Sequence, residues 1–294
     1  GDQLPTEMEL TQRYMVSRIT AKRALDTLAQ EELATRTPGR GTFVASPSDF
    51  TPAKASMPII GIAMNDYSSV FGKKFIYGVQ SACAEQGYLT AVSNGYYTQE
   101  EETEEITRLI NGGIHGLIIM PLHGASYNTT ILANLLKGFP MVMADRYLPG
   151  LSVPYVGTDN RQSAKDVTRY LFARGHEVIA FISSMATTTA IQERMDGYIG
   201  AYARSNYSYN RRLMFTDVQC TMPGRDTKES TEADVEKLCA FFAAEPKITA
   251  VIATDFWVAK LVRFSLERMG KQVPRDVSII CYDELNMPFS DFTF

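Results

Sequence analysis

The sequence is poor in the residues that most chemistry requires. It holds three histidines and four cysteines among 294 residues. His115, His123 and His176 are spread apart, and His176 lies in an Arg-Gly-His turn that reads as structural. Cys83, Cys220, Cys239 and Cys281 make no CxxC pair and no metal spacing, which excludes a disulfide framework and a structural metal. They read as buried free thiols in a reducing cytosol. No Ser–His or Cys–His motif stands in a catalytic context, and there is neither a dinucleotide fingerprint nor a P-loop. The expectation is therefore a protein that is not an enzyme and uses no cofactor. No apolar run approaches membrane length. No secretory signal opens the chain, so the sequons at Asn128 and Asn206 carry no weight, and the reading is cytoplasmic. A one-signed charge is also absent: 29 basic against 33 acidic residues leave −4. That balance excludes general coating of nucleic acid and leaves room only for a local basic surface.

What is present is ordinary globular material, 45% hydrophobic and 21% charged, long enough for about two domains. The stretch from Leu4 to Val44 organises the rest. Thr6 reads as an N-cap before a short helix, Glu7 to Tyr14, with Met8, Leu10 and Tyr14 on its apolar side. Ser17 caps a second helix running to about Gln30, with Ile19, Leu25 and Leu28 inward and Arg18, Lys22 and Arg23 outward. Between Thr11 and Leu25 there are four basic residues and no acid. Leu33–Arg36 and Gly41–Val44 then read as two strands around a Pro-Gly turn tipped by Arg40. Helix, turn, helix and hairpin form an arrangement that puts the second helix into a major groove and an arginine beside a minor groove.

Three motifs here resemble the winged helix-turn-helix of the GntR family of bacterial regulators. They are Leu4-Pro5-Thr6-Glu7-Met8-Glu9-Leu10, the run Val16-Ser17-Arg18-Ile19-Thr20-Ala21-Lys22-Arg23-Ala24-Leu25, and Gly39-Arg40-Gly41-Thr42-Phe43-Val44. Met8 and Lys22 stand where the family pattern has arginines, and the family's first helix precedes the Leu-Pro motif. The resemblance implies contacts to double-stranded DNA from Thr6, Glu7, Arg18, Thr20, Lys22, Arg23, Arg40 and Gly41.

Residues 47–58, rich in Ser, Pro and Ala, read as a linker between a first domain at 1–46 and a second at 59–294. Beyond it, near-continuous apolar runs alternate with amphipathic helices, the pattern of parallel sheets covered on both faces. The alternation restarts after Asp145–Pro154, so two α/β lobes are expected. A strand is expected at Arg212–Phe215 and a helix at Asp234–Ala244. Ligands of such sheets bind beyond the strands' carboxyl ends, and a cleft between lobes is the default site. The polar groups there are Asn65, Asp66 and Tyr67 with Phe71 nearby, then Asp145, Arg146 and Tyr147, then Asp159 and Asn160. Later ends carry Thr254, Asp255 and Trp257, then Asp283 and Glu284, with Arg194 on a helix. Carboxylates, arginines and rings together suit a polyhydroxylated ligand. Asp159 and Asp255 read equally well as helix N-caps, and Phe71 and Trp257 as core.

Residues 59–284 resemble the effector-binding core of the LacI family, which has the two-lobed fold of periplasmic sugar-binding proteins. The matching residues include Val156-Gly-Thr-Asp159-Asn160, Arg174-Gly-His176, Glu193-Arg194-Met-Asp-Gly197-Tyr198, Thr254-Asp255 and Val273-Pro274-Arg-Asp276-Val277, ending at Asp283. The family continues past this point with elements that return to the first lobe. The resemblance implies an α/β chain: a winged helix-turn-helix followed by a two-lobed, periplasmic-binding-protein-like core with parallel sheets. The implied effector residues are Asp66, Tyr67, Phe71, Arg146, Arg194, Thr254, Asp255, Trp257 and Asp283. The implied function is a sugar-responsive repressor. It would bind a palindromic operator as a homodimer, with a pentose or similar carbohydrate in the cleft and no membrane partner. The rival readings are a sugar receptor without a DNA role and a regulator sensing a phosphosugar.

Overall fold

The computed structural model describes residues 2–31, 33–45, 57–67, 70–122, 127–186, 188–222 and 224–283. It separates into two compact units, Gly1–Ser56 and Met57–Phe294. Most of the expected linker, together with His123 and Glu284, lies outside the described residues.

In the first unit, helix α1 (Glu7–Tyr14) opens on a capping box between Thr6 and Glu9 and closes at Met15, whose φ is 53°. Ser17 accepts the Thr20 N–H at the start of α2 (Arg18–Gln30). Strands β1 (Ala34–Thr37) and β2 (Gly41–Val44) pair antiparallel. Residues 2–4 add to the hairpin's outer edge: Leu4 N–H donates to Thr42 O, and Val44 N–H to Asp2 O, both at 2.8 Å. Ala21, Leu25 and Ala34 form the small buried core. Ile19 does not face inward; it is 79% exposed. At about 100° per residue it sits some 200° from Ala21, on the opposite side of the helix. Met8 and Tyr14 are also exposed, and α1 buries no residue.

The second unit holds two parallel sheets. The first lobe contains β3 (Ile59–Ala63), α3 (Val70–Glu85), β4 (Leu89–Val92), α4 (Gln99–Asn111), β5 (Gly116–Ile119), α5 (Thr129–Leu136), β6 (Met141–Ala144) and β7 (Tyr155–Val156). Its strands run in the order β4-β3-β5-β6-β7. The second lobe contains α6 (Asn160–Ala173), β8 (Ile179–Ser184), α7 (Thr189–Tyr202), β9 (Met214–Val218), α8 (Lys228–Ala244), β10 (Ala250–Ala253), α9 (Phe256–Arg268) and β11 (Ser278–Cys281). Its order is β11-β10-β8-β9. Burial on both faces explains the unbroken apolar strands. In β10, Val251 and Ala253 join one core cluster while Ala250 and Ile252 join another.

In the first unit the hairpin's first strand is Ala34–Thr37, one residue later than expected, and in the second unit two boundaries differ from the sequence reading. Residues 211–213 form a single 3-10 turn, tightened by Asn210 accepting the Arg212 N–H at 3.0 Å, so β9 starts only at Met214. Helix α8 starts at Lys228, because Thr227 caps it ahead of two polar turns that show no apolar spacing. Of the cysteines, Cys220 alone is buried; Cys83, Cys239 and Cys281 are partly exposed.

Candidate functional site

Strand ends from both lobes converge on a cavity of about 470 Å³, within the range of about 300–1,000 Å³ usual for small-molecule sites. Asp66, Phe71 and Arg146 line it from the first lobe. Arg194, Thr254, Asp255, Trp257 and Asp283 line it from the second.

Arg194 is held on three sides. Its Nε donates to Asn160 Oδ1 at 2.8 Å, its Nη1 donates to the Thr254 carbonyl, and its guanidinium lies 3.9 Å over the Tyr282 ring. The surrounding motif explains why it can be held there. Three residues on, Gly197 packs against the first turn of α6, and Tyr198 is fully buried with its hydroxyl donating to Ile179 O at 2.8 Å. Helix α7 is thereby pressed onto α6, whose buried Asn160 receives the arginine.

Asp145 directly follows β6 and Asp283 lies two residues past β11, and both take left-handed backbone, φ 62° and 66°. Asp and Asn tolerate that region better than most residues. Burial raises the Asp283 carboxyl above its ordinary value; Arg194 pulls it back and Asp145 raises it further. Asp255 both caps α9, accepting the Val258 N–H at 2.9 Å, and faces the cavity. Burial raises its pKa as well. Asp159 is a cap alone, accepting the Gln162 N–H. Burial lowers the pKa of Arg146, which sees Asp145 across 3.8 Å. Its Nε is buried without a hydrogen-bond partner. Trp257 and Phe71, 56% and 40% exposed, are rings on the cavity wall and not core.

Tyr67 is not brought to this cavity. Its hydroxyl turns back to accept the Met64 N–H and meets Ser93 Oγ at 2.8 Å. Lys74, Ser184, Thr188 and Thr221 also line the cavity, and the sequence reading did not include them. Ser184 ends β8 and Thr188 caps α7, so the strand-end rule reaches both; Lys74 lies one turn beyond Phe71 on α3. His115 accepts the Ile59 N–H and His176 meets Thr249, so both are structural.

In the first unit, Arg18, Lys22 and Arg23 are all exposed on α2, within an arc of about 140° that has Ile19 near its middle. Arg18 lies 3.3 Å from Glu7 with its side chain 83% exposed. Thr6 and Thr20 are engaged in capping, Thr20 Oγ1 lying 2.8 Å from Ser17 Oγ. Arg40 stands at the hairpin tip between Gly39 and Gly41, whose φ values are 76° and 118°. Its backbone is fixed by Thr37 O and by the Gln3 side chain. Charge, exposure and one apolar side chain on a single face suit phosphates and a thymine methyl.

Residues 60–286 match the family described as periplasmic binding protein domain, and residues 1–44 match the gntR family of bacterial regulatory proteins. The arabinose metabolism transcriptional repressor of Geobacillus stearothermophilus is 26% identical over 301 aligned residues, covering 100% of this chain and 77% of that protein. The HTH-type transcriptional regulator GalR of Salmonella typhimurium is 29% identical over 234 residues, covering 79% of this chain. The matched region spans 65% of the length of GalR. Among solved structures, the transcription regulator CcpA of Lactococcus lactis matches with a TM-score of 0.62 at 21% identity, covering 76% of this chain and 78% of that one. The Escherichia coli transcriptional repressor ascG matches with a TM-score of 0.58 at 22% identity, covering 78% and 80%.

Proposed function

This chain belongs to the periplasmic binding protein domain family through residues 60–286, and from that premise we propose that it is a sugar-responsive repressor of transcription. The observation that carries the reading is the meeting of Arg194 and Asp283 in one cavity, opposite Asp66 and Arg146 of the other lobe. A guanidinium held on Asn160 and Thr254 keeps further donors for a ligand, and Asp283 supplies acceptors. Adjacent sugar hydroxyls need both. Phe71 and Trp257 offer faces for the sugar's C–H groups. Four carboxylates, Asp66, Asp145, Asp255 and Asp283, outnumber Lys74, Arg146 and Arg194, which favours a neutral sugar over a phosphosugar. A pentose fits the name of the arabinose repressor that aligns along the whole chain.

The exposed basic face of α2 and the Arg40 tip are proposed to bind operator DNA, using the residues named above. A homodimer suits a palindromic operator, one winged helix to each half-site. Sugar binding changes operator affinity only insofar as the sugar prefers one arrangement of the lobes. The domain limits 1–46, 47–58 and 59–294 belong to this proposal.

A melting-temperature survey of pentoses and hexoses tests the reading, since a ligand bound only by the folded state must raise the midpoint. The expected result is one sugar that raises it, shifts the emission of Trp257, the sole tryptophan, and alters an operator gel shift without being consumed. Arg194→Ala removes all three responses. Full response in Arg194→Ala and Asp283→Ala proteins that fold normally would place the sugar elsewhere.

A further inference from the structure

A second cavity, of about 700 Å³, lies between the same two lobes. It abuts the first, sharing Arg146, Ser184, Ala186, Thr188 and Ile191 with it. Its charge is opposite. The first cavity is lined by four aspartates, whereas the described residues lining the second include Arg146 and Arg211 and no carboxylate. Acids at neighbouring positions are already engaged. Glu193 accepts the Tyr147 hydroxyl, Asp196 takes Arg161 at 2.7 Å, and Asp217 takes Lys237 at 2.8 Å. Two buried polar atoms of lining residues have no hydrogen-bond partner: Arg146 Nε and Ser183 Oγ, the serine being 1% exposed. Tyr127, Tyr147 and Tyr209 add ring surface to the wall.

We propose that this second cavity binds a small organic monophosphate, at a site separate from the sugar cavity and coupled to it through Arg146. Arg211 presents a planar fork that suits two phosphate oxygens. Arg146 adds positive charge that burial leaves poorly screened. The tyrosine rings take the ligand's carbon skeleton. Arg146 belongs to the first lobe and Arg211 to the second, so an anion held by both draws the lobes together. A sugar closing the same lobes is then bound more tightly, and linkage requires the sugar to tighten the anion by the same factor. The anion site itself stands on its lining charge and on a titration that needs no sugar; only the coupling rests on the sugar reading.

Calorimetric titration with phenyl phosphate tests this on the whole protein. The expected result is one site with a dissociation constant below about 1 mM, weakening as ionic strength rises. Arg211→Ala and Gln192→Glu change exposed positions, and the second also gives up the 2.9 Å hydrogen bond from Gln192 Nε2 to Asp196, so the melting temperature of each is compared with the parent's. Each should weaken phenyl phosphate about tenfold or more while leaving the melting response to sugar in place. In the sugar-saturated protein, phenyl phosphate should still bind, and more tightly. Unchanged affinity in both variants overturns the proposal. Displacement of phenyl phosphate by the sugar in simple competition also overturns it, since that outcome puts both ligands in one cavity.

Discussion

Tyr147 and Glu193 join the two lobes: the tyrosine hydroxyl donates to Glu193 Oε1 at 2.8 Å. The Tyr147 backbone N–H also donates to Thr189 Oγ1 at 3.1 Å, so one first-lobe residue holds α7 at two points. The Glu193 hydrogen bond, with burial adding, raises the tyrosine's pKa. Glu193 immediately precedes Arg194, which ties the latch to the aim of the guanidinium. Tyr147→Phe keeps the ring and removes the bond. A hydrogen bond to a charged group contributes about 1.5–3 kcal/mol, and partial exposure lowers that toward about 1 kcal/mol. Both bonds are made between protein groups alone, so losing one leaves more of the ordering of the lobes to the sugar. Sugar affinity should fall about fivefold, and the melting temperature by about 2–4 °C. Calorimetry and a melt on Tyr147→Phe check this. An unchanged affinity means that the latch does not govern the lobes.

Asp283 should limit stability while serving the ligand. Its carboxyl is held above the ordinary 3.8 by burial, with Asp145 adding and Arg194 opposing. A carboxyl with a raised folded pKa binds its proton more tightly folded than unfolded. Its contribution to stability therefore falls as pH rises from about 4 through the raised value, and remains lost at neutral pH. Asp255, raised by burial, acts in the same direction. Asp283→Asn removes the buried charge and keeps a side chain that tolerates a φ of 66°. At pH 7 its sugar-free melting temperature should exceed the parent's by about 2–4 °C, and the gain should shrink as pH is lowered toward 4. Sugar affinity should drop about tenfold or more through the lost charged acceptor. A gain of equal size at both pH values rules out the buried charge as its cause.

The readable parts of the chain are those where a local signal and the tertiary outcome coincide. Helix α1 has Thr6 and Glu9 at capping-box spacing, and β10 is an apolar run between polar residues. The strand-end rule gathers most of the cavity, because parallel strands must deliver their ends to one edge. It fails at Tyr67, whose hydroxyl finds partners on its own strand and on Ser93 before reaching the cleft. It misses Thr221 because the strand is expected to stop at Phe215, whereas β9 runs on to Val218 and so brings Thr221 within three residues of its end. Ile19 departs from the expectation because its apolar character points to the core while its angle relative to Ala21 and Leu25 points away. Its exposure beside Arg18 and Lys22 marks the face that stays free.

Gly197 is where small size is required. A Cβ there would lie 2.2 Å from the Arg161 carbonyl oxygen and 2.8 Å from Ala164 Cβ. Both neighbours belong to α6, so relief needs the two helices to separate. Overpacking of this kind costs about 1–3 kcal/mol. Gly197→Ala should lower the melting temperature by about 2–12 °C. Because Asn160 and Arg194 sit on the two separating helices, their 2.8 Å hydrogen bond should lengthen. Sugar affinity should therefore fall as well, by about tenfold. Gly200→Ala, one turn on with nothing within 4 Å of its added Cβ, is the control and should change neither quantity for the worse. Equal behaviour of the two variants shows that the helix contact does not position Arg194.

The DNA face gives the last expectation. Arg40 can lose its side chain without losing its turn, because Thr37 O accepts its N–H at 3.0 Å and Gln3 Nε2 holds its carbonyl at 2.9 Å. Arg18 can be removed without unfolding α2, because Ser17 caps the helix and an ion pair with Glu7 at 83% exposure contributes little. Arg18→Ala and Arg40→Ala should therefore report on DNA alone. Each should weaken duplex binding about tenfold and reduce the slope of log K against log salt by about 0.9 for every phosphate no longer neutralised. Glu7→Gln should also weaken duplex binding, since Glu7 is among the residues proposed to contact DNA and lies 3.3 Å from Arg18. The sugar-dependent melting shift should be the same in all three variants. If both arginine variants keep the parent's salt slope and affinity, the basic face of α2 and the hairpin tip are not the DNA surface.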